Sequence, residues 1–520
     1  MQELTGLAGN IVHMERPTRT ATASITTWLS IVLLFIVGAT AAFGLLMSVS
    51  GFAGNDDYYH VQMALQIAQQ GKLRVDFPWL PDTLLSPEQF VDHHLLYHLY
   101  LAPWVYWGGA VGAKLAHALL IGALFACVGI FLRTIGVRHS VVWTVALLSV
   151  STPFLYRSLM IRTQAPALLL LVITLYALYT ERDSWLIPLA FGFSWLYNGF
   201  ILLPAIVVLY TLAVGIADRR FLWRPVTFAL LGMALGLIIN PYFPNNLFFI
   251  VSHLGEKVDL ANSVRVGNEW YPYTTEALMD NSLGSLLLLG AAFLAPSFRR
   301  SGRDKIETAL LLVALLTLAM VLRSRRFIEY FPAFALLVGA AAWGRSTLDW
   351  RAYFPEQFQT RWLPRLVPLV LAVSVLGLGW HTVSSVQADL QDTQGNDYLA
   401  GAAQWLQANT EPNSLVFQTD WDDFPYLFYH NTHNTYLVGL DPTYLQMANP
   451  DLWNIWVAIT QGDVEVPSVL IRDTFNARYV VSDTHHAAFA ARADADPAMV
   501  VVYRDANSIV WQVKAAPTEE

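Results

Sequence analysis

Apolar runs recur through the first three quarters of the chain, at 27–49, 109–132, 140–155, 164–180, 185–198, 199–217, 226–242, 283–298, 306–322, 329–344 and 365–383. A helix needs about 20 apolar residues to cross a bilayer, so the pattern predicts about 11 membrane-spanning helices, with the softest boundaries between 185 and 217. Beyond residue 384 the pattern changes. Short β-rich runs at 415–419, 436–440, 479–482, 500–503 and 509–513 alternate with helical stretches such as 398–408 and 444–459, the signature of a small α/β layer domain. Asp505-Ala506-Asn507-Ser508 is turn chemistry between the last two strands, and the polar stretch 384–396 reads as a hinge. The expectation is a polytopic α-helical membrane domain over 1–383 and an extracytoplasmic α/β domain over 384–520.

Between the first two spans lies a polar loop, 50–95, that opens with Asn55-Asp56-Asp57-Tyr58-Tyr59-His60 and closes with Asp92-His93-His94. Within it, 58–70 places Val61, Leu65 and Ala68 on one side and polar residues on the other, which predicts an amphipathic helix near the interface. Asp56 and Asp57 fall at its start. Acidic residues there are ordinary helix caps, yet two carboxylates beside a membrane can also bind a divalent cation or take a proton from an acceptor hydroxyl. Asp92, His93 and His94, with His98 one turn on if the next segment is helical, are ligand types for zinc, manganese or iron. Asp56, Asp92 and His93 are the candidate set, for an ion such as Mg or Mn. Tyr97, Tyr100, Trp104, Tyr106 and Trp107 read as an aromatic belt at the headgroup level.

Composition agrees with a lipid environment: 55% of residues are hydrophobic, 13% are charged and the mean hydropathy is +0.43. The net charge of −8 matters less than where the cations fall. Arg16 and Arg19 put the N-terminus inside, and Arg133, Arg138, Arg182, Arg219, Arg220, Arg224, Arg299, Arg300, Arg303, Lys305, Arg345 and Arg351 then also fall inside. That leaves three outer segments: 50–95, 243–282 and the chain after about 385. The first span is too long for a cleaved signal and reads as a retained anchor. Arg323, Arg325 and Arg326 break the inside rule, as do Arg157 and Arg162. Arginines at an outer face call for a partner, and a phosphate or pyrophosphate suits their forked geometry; a local pair with Glu329 is the alternative. The single cysteine, Cys127, excludes an intrachain disulfide.

These motifs resemble the GT-C glycosyltransferases, and among them oligosaccharyltransferase catalytic subunits. Asn55-Asp56-Asp57-Tyr58-Tyr59 looks like the acidic motif of the first outer loop in that superfamily. Arg326-Phe327-Ile328-Glu329-Tyr330-Phe331-Pro332 resembles the Arg-Phe segment near the lipid-linked donor, and Asp420-Trp421-Asp422-Asp423-Phe424-Pro425 resembles the Trp-Trp-Asp-Tyr-Gly acceptor motif. The resemblance implies a polyprenyl-linked sugar donor at the outer face of the plasma (inner) membrane, with a glycan, lipid or protein as acceptor; nothing calls for nucleic acid. It further implies donor phosphate on Arg325 or Arg326, acceptor activation by Asp56 or Asp57, and acceptor contacts from Trp421, Asp422 and Asp423. Three departures stand out. Where the family carries a second acidic motif, this chain has Arg162-Thr163-Gln164. Glu269 and Glu276 in the 243–282 loop sit in no family motif. Asp420 replaces the first tryptophan of the acceptor signature, which argues against peptide glycosylation. A transporter or non-catalytic receptor for lipid-linked glycans is the competing class.

Overall fold

The computed structural model describes residues 25–260, 267–298, 302–345 and 363–515; Arg16, Arg19, Arg299, Arg300 and Arg351, used above for orientation, lie outside them. In chain order the helices of the membrane half are α1 (Ile25–Met47), α2 (Asn55–Gln70), α3 (Leu95–Thr134), α4 (Ser140–Val145), α5 (Thr152–Leu159), α6 (Gln164–Tyr179) and α7 (Leu186–Leu196). They continue with α8 (Leu202–Asp218), α9 (Trp223–Ile238), α10 (Asn245–Leu260), α11 (Thr275–Leu294), α12 (Lys305–Arg323), α13 (Phe331–Gly344) and α14 (Leu363–Gln391). Among the described residues, five helices are long and apolar enough to cross a membrane, or six if α5 and α6, bent by 106° at their junction, make one broken span. The expected count of about 11 is therefore not reproduced. Helices α9 and α13 are apolar but only 16 and 14 residues long. The run 140–155 forms no span at all: Ser151 accepts the Phe154 N–H as an N-cap, and with Pro153 in the first turn it starts a new helix in mid-run.

Glycines set how closely these helices approach. A Cβ added at Gly122 of α3 would lie 2.8 Å from the Phe35 carbonyl of α1, and one at Gly232 of α9 would lie 2.2 Å from the Ile187 carbonyl of α7. Where lipid is as apolar as the helix surface, such close contact supplies the attraction between helices that the hydrophobic effect does not. Helix α3 breaks at Gly109 (φ 54°, ψ −139°), at the position where the predicted span began. In the segment before the break, Tyr97 is buried and its hydroxyl meets His117 Nδ1 at 2.8 Å, so it does not belong to the belt, whereas Trp107 is 82% exposed.

The predicted amphipathic helix is α2, but it does not lie at an interface on one face. Residues from Asp57 to Ile67 are almost all buried, because α3 packs on one side and a helix of the C-terminal part, Phe424–His430, on the other. Leu65 and Ala68, expected to face lipid, are merely its less covered side.

The C-terminal part holds α15 (Ala400–Asn409), β1 (Leu415–Gln418), α16 (Phe424–His430), β2 (Thr435–Tyr436), α17 (Pro442–Ala448), α18 (Pro450–Thr460), α19 (Pro467–Asp473), β3 (Tyr479–Asp483), α20 (Ala487–Ala495), β4 (Met499–Arg504) and β5 (Ser508–Val513). The sheet order is β2-β1-β3-β5-β4, parallel from β2 to β3 and antiparallel from β3 to β4. The expected strand 436–440 shrinks to two residues. There the side-chain amide of Gln418 takes over the ladder, donating to the Val438 carbonyl and accepting the Leu437 N–H (3.1 Å). The expected helix 444–459 is split at Asn449, whose side chain caps α18 ahead of Pro450. Asp505 Oδ1 accepts from the Asn507 and Ser508 N–H groups (2.9 and 2.7 Å) and closes the expected turn. Most of 384–396 is helix rather than hinge, since α14 runs to Gln391; the stretch after it packs on the first loop, with Tyr58 Oη 3.3 Å from the Gly395 carbonyl.

Candidate active site

The N-terminus of α2, the α5–α6 junction, the loop before α11, the end of α12 and the C-terminal part together enclose a cavity of about 520 Å³. Its wall carries Asn55, Asp56, Arg157, Arg162, Glu269, Arg323, Arg326, Trp421 and Asp422. Two carboxylates adjacent in sequence take different roles because successive helical residues point about 100° apart. Gly54 is extended (φ −144°, ψ 160°) at the N-cap of α2, and Asp57 turns inward to accept its N–H at 3.1 Å. Asp57 is fully buried away from the cavity, and that burial pushes its carboxyl up to about 7. Asp56 points into the cavity, where the Arg162 guanidinium holds it.

The 106° bend between α5 and α6 presents Arg157 and Arg162 to the same space. Arg157 donates to Glu329 and, at 2.9 Å, to Glu269. Arg326 donates to Glu269 at 3.0 Å and stacks 4.9 Å over the Trp270 ring, while Arg162 lies 3.8 Å from Glu269 on its far side. Glu269 is thus the hub of three guanidinium groups. Burial works to raise its carboxyl, and Arg326, Arg157 and Arg162 overcome burial and hold it well below the usual range. Ser324 Oγ donates to the Glu269 carbonyl (2.8 Å) and fixes the loop that carries it. The local pairing considered for Glu329 and the arginines beside it does not form, since Glu329 serves Arg157 across the bend.

Asp56, Arg326, His93, Trp421 and Asp422 are brought to one cavity, and Asn55 Nδ2 donates to Asp422 Oδ1 at 2.7 Å across the join between loop and C-terminal part. Asp422 is pushed up to about 7, chiefly by burial and then by the like charge of Asp420. Other candidates are placed elsewhere. Arg325 turns outward and donates to the Tyr271 and Pro272 carbonyls (both 3.2 Å), and the cavity position expected for it is taken by Arg323, which forms no ion pair with any described residue. Asp423 is buried beside the Tyr398 hydroxyl (3.4 Å). Asp56, Asp92 and His93 do not assemble as metal ligands: a guanidinium holds Asp56, His93 stacks on Phe249 (5.0 Å), and Asp92 is buried against His98 Nδ1 (2.8 Å) and the His94 N–H (3.0 Å). The cluster that does form among the described residues is His60, His94 and His98, with ligand atoms within 4.8 Å of one another. Glu269 and the pairing of Arg162 with Asp56 were not foreseen; the available signal was the surplus of outer arginines, which required carboxylates from some other segment.

No protein-family model matches the chain, and no curated protein sequence matches it. Solved structures do. Archaeal oligosaccharyltransferase AglB from Archaeoglobus fulgidus, in complex with an inhibitory peptide and a dolichol-phosphate, aligns with TM-score 0.64 at 14% identity over 95% of this chain and 76% of that one. ArnT from Cupriavidus metallidurans bound to undecaprenyl phosphate aligns with TM-score 0.58 at 16% identity, over 94% of this chain and 98% of its own. Arabinofuranosyltransferase AftD from Mycobacteria aligns with TM-score 0.56 at 15% identity, over 93% of this chain and 40% of its own. These are GT-C glycosyltransferases, and this chain has their fold.

Proposed function

We propose that the protein is a membrane glycosyltransferase that moves a sugar or glycan from a polyprenyl-phosphate or pyrophosphate donor to an acceptor at the outer face of the plasma (inner) membrane. The observation that carries this reading is the single cavity in which a row of arginines faces the carboxylates of Asp56 and Asp422, in a fold shared with GT-C glycosyltransferases. Arg323 and Arg326 receive the donor phosphate, whose oxygens match guanidinium forks. Asp56 takes the proton of the acceptor hydroxyl as that oxygen bonds to the sugar carbon. The bond from sugar to phosphate oxygen breaks, and the lipid phosphate leaves with the electron pair, its charge stabilised by preorganised cations and not by protonation. Trp421 offers a ring face to a sugar, and Asp422 accepts a hydrogen bond from a hydroxyl of the acceptor. With Asp420 where the acceptor signature has an aromatic, a glycan or lipid acceptor fits this wall better than a peptide.

At Asp56 the donor set does not fit a hard cation of the Mg or Mn class. Such ions want several oxygen ligands, whereas the neighbours of Asp56 and Glu269 are guanidinium groups. The reading therefore assigns no step to such an ion, and Arg162 supplies the positive charge there.

Transfer of label from polyprenyl-linked sugars by the purified protein in lipid tests the proposal. Asp56→Asn is expected to lower the rate by about 10²–10⁴-fold, and wild type is expected to turn over without added Mg or Mn. Donor binding with no turnover, unaltered by the substitution, would assign the cavity to a transporter or receptor.

A further inference from the structure

We propose that His60, His94 and His98 form a binding site for a transition-metal cation of the zinc class, in the wall of the arginine-lined cavity and made of residues other than Asp56. His94 and His98 stand one helical turn apart at the start of α3, the spacing that puts two imidazoles on one face. His60 comes across from α2, and its Nδ1 is hydrogen-bonded to His98 Nε2 at 2.7 Å, the contact that a shared cation would replace. The three ligand atoms are within 4.8 Å of one another.

Two further observations point to a ligand. The first is Asp92, which accepts from His98 Nδ1 at 2.8 Å and so leaves Nε2 as the lone pair directed at the cluster. Its other oxygen accepts the His94 N–H at 3.0 Å and fixes the backbone that carries the second imidazole. A carboxylate behind a histidine is the arrangement that orients metal ligands and raises their basicity. The second is the buried His94 Nδ1, which has no hydrogen-bond partner. Leaving such an atom unpaired costs about 1–3 kcal/mol, and a cation shared with His60 and His98 would satisfy it. Imidazole ligands select zinc, copper, iron or nickel over magnesium and calcium, and three of them with one open position is the set seen at catalytic zinc. His60 and His94 also line the cavity, so the fourth position opens towards it. There it would take water or an anionic oxygen.

The experiment reads metal and not transfer, so it stands or falls independently of the glycosyltransferase reading. The full-length protein in lipid nanodiscs is stripped with chelator, dialysed against zinc or cobalt(II), and measured for metal content and absorption. Expected are about one zinc per chain and, with cobalt, the intense visible bands of a four-coordinate site. Asp92→Asn is expected to weaken affinity by about 10–100-fold, and folded His94→Gln to lose the metal. Zinc retained by folded His94→Gln overturns the site. Should that variant not fold, the wild-type cobalt spectrum decides, because weak octahedral absorption also overturns it. Inorganic pyrophosphate added to the cobalt protein is expected to shift the bands; bands that do not move overturn the opening to the cavity.

Discussion

Glu269 shows how one carboxylate can organise a site. Of the three guanidinium groups around it, Arg157 also has Glu329 and Arg162 also has Asp56, whereas Arg326 has no other ion pair among the described residues and would be left uncompensated. Glu269→Gln is therefore expected to destabilise the protein by about 3 kcal/mol, read as a lowered Tm in lipid, with charge-neutral changes at exposed positions as the control. Asp57 and Asp422 are both pushed up to about 7, and of the two only Asp422 lines the cavity. Its folded value of about 7 lies above the ordinary 3.8, so the folded protein holds this proton more tightly than the unfolded chain does. Stability from this group is complete below about pH 4, declines as pH rises, and is lost above about 7. Transfer should instead rise with pH through about 7 as the accepting carboxylate forms, and Asp422→Asn should remove that inflection from the rate profile. That Asp56, Arg326, Trp421 and Asp422 meet at one cavity was legible in the sequence because charged and aromatic residues in polar segments between apolar runs have few other uses. Glu269 and Arg162 were not, because their roles exist only once the loop before α11 and the α5–α6 bend meet α2. Arg325 and Arg323 illustrate the same limit: both are arginines at the same end of α12, and only the backbone after Arg323 decides which one faces inward.

At the scale of elements, hydropathy located most apolar helices but not their interruptions. Gly109 stands at the first residue of a predicted apolar run, where a window average does not register it, yet it holds a backbone conformation close to glycine-only space. A Cβ there would meet no atom within 4 Å, so its cost is purely conformational. Gly109→Ala is expected to lower stability by about 1–3 kcal/mol, checked by thermal unfolding, whereas the same change at Gly108, which is equally uncrowded but has no left-handed φ, should be nearly silent. In the C-terminal part, period-two patterning located the strands well where β3, β4 and β5 pair along their length. It failed at 436–440 because a glutamine side chain replaced backbone pairing, and no hydrophobic pattern encodes that. The break at Asn449 was written in the sequence as a capping residue followed by proline, a local signal that the longer apolar run obscured.

Across the whole molecule, the cavity belongs to no single part: the Asn55–Asp422 bond and the packing of α2 against α16 join the loop to the C-terminal part at the site itself. The small sheet near the C-terminus was readable from the change in pattern, but its seam with the first loop was not, because side chains far apart in sequence, such as Asn55 and Asp422, form it. At the same cavity the Arg162 guanidinium holds the Asp56 carboxylate, which is a poor base for as long as it is so held. In the proposed transfer, the donor phosphate received on Arg323 and Arg326 also draws on the Arg162 guanidinium across the same cavity and sets the carboxylate free. Armed in this way by its first substrate, the proposed transferase is expected to follow a sequential order, with lipid donor before acceptor. Initial rates measured over both concentrations should give intersecting double-reciprocal lines, and released lipid phosphate should inhibit competitively against the donor alone. Arg162→Ala should relax that order and let acceptor bind first, so that an idle enzyme, otherwise spared futile capture of acceptor, would collect it.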